Sequence, residues 1–211
     1  MTCLHRCDNI KISRNFFGDK GRFLSHRFYG FHPFDDPERR KWQDPDTILA
    51  GVGLKPGYIF ADIGCGSGFF ALPAARMVGE KGKVYGLDVN PESIAALKAQ
   101  AEKEKLKNLH LTSGRAEEII VCRSCADIVF FGIALHDFQD PAKVLANVKN
   151  SLKPAGKLVD LDWKKDAAMG PPPHIRFDEN KASGLIRNAG FTIESVKDSG
   201  PYHYLIIAKP A

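Results

Sequence analysis

The sequence predicts an α/β fold: a mostly parallel sheet flanked by helices, closed by an antiparallel strand and preceded by an N-terminal lid segment. Three observations predict it. Apolar runs alternate with helical stretches from residue 46 onward, the pattern that builds strand–helix units on a parallel sheet. A glycine-dense turn, Gly64-Cys65-Gly66-Ser67-Gly68, joins the first run to the first of these stretches. The next apolar run ends in an acid, Asp88, 20 residues beyond Gly68.

Taken in order, residues 46–52 read as a helix leading into the sheet, and the apolar run 58–61 as a buried strand ending at Asp62. Helix follows over 69–78, strand over 83–88, and helix over 91–104, with Asn90 before Pro91 as its cap. The third, fourth and fifth strands fall at 109–113, 126–132 and 157–162. A helix over 142–152 links the last two, stopped by Lys153-Pro154-Ala155-Gly156. Residues 181–188 form a further helix ending at Ala189-Gly190, and strands at 191–195 and 202–209 close the sheet as an antiparallel pair. Residues 46–211 therefore make one domain. Residues 1–45 stand apart, rich in aromatic and basic groups such as Phe28, Tyr29, Arg39, Arg40 and Trp42. They read as a lid that contributes Tyr29 to a substrate pocket, or as an extra packed layer.

Ligands of such sheets bind beyond the carboxyl ends of the strands, where the glycine turn lies. Glycine there permits positive φ and close approach by a ligand, and the helix start adds unpaired N–H groups. The spacing separates the candidates. A dinucleotide fingerprint would need glycine at Phe69, and a phosphate loop would need Gly-Lys-Ser/Thr at its end. Neither is present, which leaves Asp62-x-Gly64-x-Gly66-x-Gly68. Asp88 suits the hydroxyls of a ribose, or else caps the helix that follows it.

These residues resemble motif I and the ribose acid of the class I S-adenosylmethionine (SAM) methyltransferases, with their Rossmann-like fold. Residues 45–209 are similar to the small-molecule group that includes the ubiquinone/menaquinone C-methyltransferases. That likeness extends through Asp127-Ile128-Val129-Phe130, Leu135-His136-Asp137-Phe138 and Leu152-Lys153-Pro154-Ala155-Gly156. Asp160 to Lys165, followed by Gly170-Pro171-Pro172-Pro173, is similar to uncharacterised prokaryotic members. The resemblance implies that Asp62, Gly64, Cys65, Gly66 and Gly68 surround the methionine part of SAM. Asp88 would hold the ribose, Val89 would pack near the adenine, and Gly132 and Ile133 would approach the methionine end. Arg115 and Ala116 occupy the turn where relatives place an acid that reads the adenine amine. Arginine offers no acceptor, so Glu117 or a backbone carbonyl is the alternative reader.

Methyl transfer needs alignment of the acceptor, and a base only where the nucleophile arrives protonated. His136, after the fourth strand, is the candidate catalytic base, or else a histidine that hydrogen-bonds a carbonyl beside SAM. Asp162 and Lys164 at the end of the fifth strand, with His174 and Arg176 after the proline run, are candidate substrate-binding residues alongside His136 and Tyr29.

Other features bound the function. Cys122-x-x-Cys125 and Cys3-x-x-x-Cys7 suggest zinc, a redox pair or a metalloid acceptor. The preferred reading assigns no metal and no structural disulfide, as befits a cytoplasmic chain. The net charge of +5 and the acids that dilute the basic cluster make a nucleic-acid partner an unfavoured reading. No apolar run of about 18 residues marks a membrane span. The expectation is thus a methyltransferase that uses SAM on an unidentified small molecule. Its rivals are a SAM-binding regulatory or scaffold protein, a thiol or metalloid methyltransferase, and an RNA methyltransferase.

Overall fold

Residues such as Phe60, Val84, Val129 and Phe131 come in runs with little polar alternation and are fully or nearly sealed from solvent, as strands covered on both faces must be. The computed structural model describes residues 37–211; the expectations placed on Tyr29, on the Cys3/Cys7 pair and on most of the lid lie outside the described residues. The elements run α1 (Pro37–Trp42), α2 (Pro45–Gly51), β1 (Ile59–Ile63), α3 (Ala71–Val78), β2 (Lys83–Asp88) and α4 (Pro91–Lys103). They continue with β3 (Leu109–Ser113), β4 (Ala126–Gly132), a 3-10 turn (Leu135–Asp137), α5 (Pro141–Ser151) and β5 (Leu152–Trp163). The chain closes with α6 (Glu179–Asn188), β6 (Phe191–Ser199) and β7 (His203–Pro210).

The seven-stranded sheet has the order β3-β2-β1-β4-β5-β7-β6. Strands β1 to β5 pair in parallel, and β7 runs antiparallel to both β5 and β6. The expected closing strand is therefore present. One face carries Ala61, Val129, Phe131 and Leu158 against Val144 and Leu145 of α5 and Ala182 and Ile186 of α6. The other carries Phe60, Ile128, Phe130 and Val159 against Leu49 of α2, Ala71 and Ala74 of α3 and Leu97 of α4. Each buried leucine-sized side chain contributes about 1.5–3 kcal/mol, so both layers hold the strand ends in fixed positions.

Three departures from the sequence reading have local causes. Helix α3 starts at Ala71 rather than 69, because Phe69 and Phe70 form a turn in which their rings pack edge to face. Residues 153–156 do not terminate a helix into a loop. They bulge out of β5, whose partners on β4 jump from Ala126↔Leu152 to Ile128↔Lys157. A Cβ on Gly156 would lie 2.7 Å from the Ala126 carbonyl oxygen, so the bulge requires glycine there. The third departure corrects an expectation: Cys122 and Cys125 are joined in a disulfide. Their Cα atoms stand 5.9 Å apart, within bridging range. Ser124 takes a positive φ between them, and the N–H groups of Ser124 and Cys125 donate to Asn150 and Ser151 carbonyls at the end of α5. A bridged pair has no thiolate to offer a metal or metalloid.

At the sheet end opposite the glycine turn, Asp127 ties three elements. Its carboxylate accepts the Ile59 N–H at 2.8 Å and the Lys153 ammonium at 2.7 Å. Asp127→Ala leaves the Ile59 N–H and the Lys153 charge without that acceptor. It should cost about 1–3 kcal/mol of stability, read as a lowered urea midpoint at unchanged slope. An unchanged midpoint would remove this tie from the structure's support.

Candidate functional site

The C-terminal ends of β1, β2 and β4 meet around the glycine turn. Gly64, Gly66 and Gly68 adopt φ of 81°, 50° and 99°, a region that side-chain-bearing residues avoid. Space imposes the same choice at Gly64, where a Cβ would lie 2.7 Å from that of Ala134. The turn is anchored by β2. The N–H groups of Gly64 and Cys65 donate to the Leu87 carbonyl, and the Gly66 N–H donates to Asp88 Oδ2 at 2.8 Å. The other Asp88 oxygen accepts the Asn90 N–H at 2.8 Å, while Asn90 caps α4 as expected. Asp88 is thus fixed at the mouth by backbone donors, and each oxygen keeps a lone pair for a further partner.

Asp62 sits behind the turn, 1% exposed, and neither carboxyl oxygen meets a hydrogen-bond partner. Burial, and then the Asp88 charge, push its pKa up to about 8, while the Arg39 charge and, least, the dipole of the Ala71 N–H, which makes no hydrogen bond to it, pull the other way. A sealed, unpartnered carboxyl is costly to keep. Its position beside a cradle of positive-φ glycines fits a ligand that brings a cationic donor. Cys65 turns its buried thiol into the core, against Gly86, with burial raising its pKa. Its backbone alone faces the turn.

The remaining expected cofactor residues are distributed around this mouth. Val89, next to Asp88, is 46% exposed, an apolar side chain left open to solvent. Gly132 lies against Phe70, where a Cβ would come within 2.7 Å of the ring. Ile133 has φ of 64°, which is strained for a β-branched residue; its N–H donates to the Leu161 carbonyl at 2.7 Å. Such strain persists where surrounding structure enforces it, commonly at functional sites. Arg115 donates to Gln139 and pairs with Glu117 and Glu118. Glu117 accepts N–H groups of Gln139 and Asp140 ahead of α5, and the buried Ala116 accepts from Asn147 through its carbonyl. The Arg115 turn is therefore a self-contained network.

A second group gathers at the ends of β4 and β5. His136 Nδ1 lies 2.8 Å from both oxygens of Asp162, which is fully buried and also accepts the Trp163 N–H. Burial lowers the His136 pKa, but the charge and hydrogen bond of Asp162 outweigh it and the net shift is upward. Two residues back on the same face of β5, Asp160 is sealed without a partner, and burial together with Asp162 drives its pKa well up. Tyr204, opposite Asp162 in the register, has a buried and unpartnered hydroxyl.

The expected acceptor residues of the last loop divide differently. Arg176 is 4% exposed, and its guanidinium donates to the carbonyls of Pro171, Lys164, Lys165, Ala167 and Met169. It holds the 164–171 loop in shape. Lys164 pairs with Asp198 at 2.8 Å, and His174 is exposed on the surface of the loop.

Several participants were not singled out from the sequence. Arg39 of α1 is 4% exposed, stacks 3.8 Å from the centroid of Phe69 and donates to Gln43. Trp42 of the same helix stacks on His203 and packs against Trp163 and Tyr202. His203 is held neutral, its pKa lowered to about 3 by burial and then by Arg39 and Lys164. Helix α1 thus straps the site from Phe69 to β7. The only signal in the sequence was the density of aromatic and basic residues there.

Comparison with known proteins gives a consistent result. The sequence pattern of a family described as a methyltransferase domain matches residues 54–197. Demethylmenaquinone methyltransferase of Bacillus mycoides is 33% identical over 119 residues, which is 56% of this chain and 50% of that protein. The chain spans about half the length of the curated relatives it matches. A solved SAM-dependent methyltransferase from Aquifex aeolicus superposes with a TM-score of 0.80 at 32% identity, covering 84% of this chain and 95% of that one.

The raised pKa of Asp62 has a consequence for stability. An unfolded aspartate ionises near pH 4, whereas the folded one holds its proton to about 8. The unfolded state therefore binds fewer protons between those values, and ligand-free stability falls as pH rises through that window. Asp62→Asn removes this loss. The variant should exceed the wild type by more than about 1.4 kcal/mol, the worth of one pKa unit, at pH 8. The gap should close near pH 4. A pH-independent difference in thermal or urea stability would contradict the burial of Asp62.

Proposed function

Because the chain belongs to the methyltransferase-domain family, as a class I SAM-dependent member, we propose that it transfers the SAM methyl group to a small molecule through the mouth at β1, β2 and β4. One observation carries this reading: the sealed, unpartnered Asp62 beside three positive-φ glycines whose turn is tied to Asp88. The donor set fits SAM piece by piece. Asp62 takes the ammonium of the methionine moiety and gains the partner it lacks. The backbone of Gly64, Cys65, Gly66 and Gly68 lets that moiety approach, and Gly132 and Ile133 border its other side. Asp88 accepts the ribose hydroxyls, and Val89 offers an apolar surface to the adenine. Bound there, the sulfonium supplies an electrophilic methyl group. The protein's own part is to fix that group in line with an acceptor and to exclude water.

The acceptor belongs at the ends of β4 and β5, where His136 and Asp162 sit and the Arg176-ordered loop forms a rim. A small-molecule acceptor is supported by the demethylmenaquinone methyltransferase relatives, although the shared stretch covers only half of them. Among the described residues no helix is long and apolar enough to cross a membrane.

Calorimetric titration with SAM, S-adenosylhomocysteine and NAD in parallel tests the cofactor assignment. The first two should bind and NAD should not. Asp88→Ala should weaken S-adenosylhomocysteine binding by about 1.5–3 kcal/mol, as loss of charged hydrogen bonds does. Binding of NAD alone, or unchanged affinity in the variant, would overturn the reading.

A further inference from the structure

Resting on the SAM reading above, we infer that His136 and Asp162 form a base dyad, and that the acceptor is a neutral, phenol-type hydroxyl deprotonated by His136 Nε2. The geometry is asymmetric in the way a base requires. Nδ1 is held by both oxygens of Asp162 at 2.8 Å, which places a proton on Nδ1 and leaves the Nε2 lone pair free in the neutral ring. Asp162 is itself fixed by the Trp163 N–H and by its place on a fully buried strand end. Nε2 lies 3.6 Å from Asp137 Oδ1, beyond hydrogen-bonding distance. The side chain is 3% exposed, so a proton passes to Nε2 out of contact with bulk water. His136 lies in the 3-10 turn directly after β4, three residues beyond the strained Ile133 that the proposed function sets beside the methyl donor.

The charges around the ring select the acceptor. Asp137 from the 3-10 turn and Asp162 from β5 face it, and the Arg176 guanidinium is the cation that acts on it. Behind them stand Tyr204 of β7, on which Asp160, Asp162, Glu179 and Asp178 all act, and Asp160, whose raised pKa favours its neutral form. Asp137 and Asp162 outweigh Arg176 around the ring, so an acceptor that arrives as an oxyanion is disfavoured. An aryl amine already offers a lone pair and needs no base, whereas an alkylamine arrives as an ammonium ion, and benzylamine methylation separates it from a hydroxyl acceptor. A thiol ionises by itself near pH 8.5. A phenolic hydroxyl, with a pKa near 10, arrives neutral and needs a base at physiological pH.

The step balances without any further reactant. The acceptor O–H bond breaks and its proton passes to Nε2, giving an imidazolium that Asp162 stabilises. The oxygen electron pair forms the O–CH3 bond as the C–S pair returns to sulfur, which leaves as a neutral thioether. The imidazolium then loses its proton to solvent. Asp162 is a positioning residue here, acting through His136.

The test begins with S-adenosylhomocysteine titration, so that failure of the cofactor reading shows separately from failure of the dyad. Protein that binds it is then given SAM with catechol, benzyl mercaptan or benzylamine across pH 5.5–9. Catechol should be methylated on oxygen, with a rate that climbs through an apparent pKa above the ordinary 6.5 of histidine, since the base must be neutral. His136→Asn and Asp162→Asn should each lower kcat by about 10²–10⁴-fold while S-adenosylhomocysteine affinity holds within about two-fold, a shift worth under 0.5 kcal/mol. Nitrogen-15 NMR of the ligand-free protein gives a readout independent of turnover. His136 should carry its neutral-form proton on Nδ1, and its titration midpoint should fall in Asp162→Asn. Methylation of the amine or thiol alone, no methylation of catechol by protein that binds S-adenosylhomocysteine, a flat pH profile, or a neutral tautomer protonated on Nε2 would each overturn the proposal. The wild-type profile and NMR keep it testable even where a variant fails to fold.

Discussion

A carboxyl group with no partner, sealed at the end of β1, is the constraint on which the ligand site turns. Asp62 is the last residue but one of β1, between the core residues Ala61 and Ile63, so it cannot swing out to water without moving the strand. Left alone, it opposes folding at neutral pH, because its proton is held to about 8 when an exposed aspartate would have released it. The sheet tolerates this because two apolar layers stabilise it from either side. On the proposed function, the cost is recovered when the cofactor's ammonium enters the cradle of Gly64, Gly66 and Gly68. Asp88 serves the opposite purpose, since its carboxylate is fully supported by backbone donors and holds the cradle open.

The same logic repeats on the other face. Period-two alternation along β5 sends Leu161 and Trp163 to the α3 side and Asp160 and Asp162 to the α5/α6 side. Asp162 is satisfied by His136 and the Trp163 N–H, whereas Asp160 is not satisfied. Placing the acids on the face away from Asp62 separates two electrostatic tasks. One is the proposed capture of a cation near β1, and the other sets the proton affinity of a histidine at β4. Ile133 lies between them in a backbone conformation that β-branched residues avoid, fixing the direction in which the chain leaves β4 toward His136.

The fold was legible because its signals are local. Asn90-Pro91 begins a helix by capping and by fixed φ, and the helix starts there. The strand at 126–132 matched because Ile128, Val129, Phe130 and Phe131 form a β-branched and aromatic run between polar turns, and that at 109–113 because Leu109 and Leu111 alternate with His110 and Thr112. The bulge at 153–156 was not legible: Pro154 and Gly156 look like a helix stop, and only pairing with β4 turns them into strand. Among site residues, Asp62, Asp88 and His136 could be picked out from their places at strand ends. Their partners could not. The Asp162–His136 contact spans 26 residues of sequence, and Arg176 reads as a substrate ligand until its five carbonyl partners are seen. The role of Arg39 and Trp42 depends on α1 crossing the mouth, which no periodicity announces.

The central claim is that Asp62 stays protonated until a cationic ligand arrives. Titrating the protein with S-adenosylhomocysteine at pH 6.5, in buffers of different ionisation enthalpy, measures the protons exchanged on binding. Release of roughly one proton per ligand is expected at that pH, fading toward pH 9, because the ligand's ammonium requires the ionised carboxylate. Binding with no proton release at pH 6.5 would contradict the role assigned to Asp62.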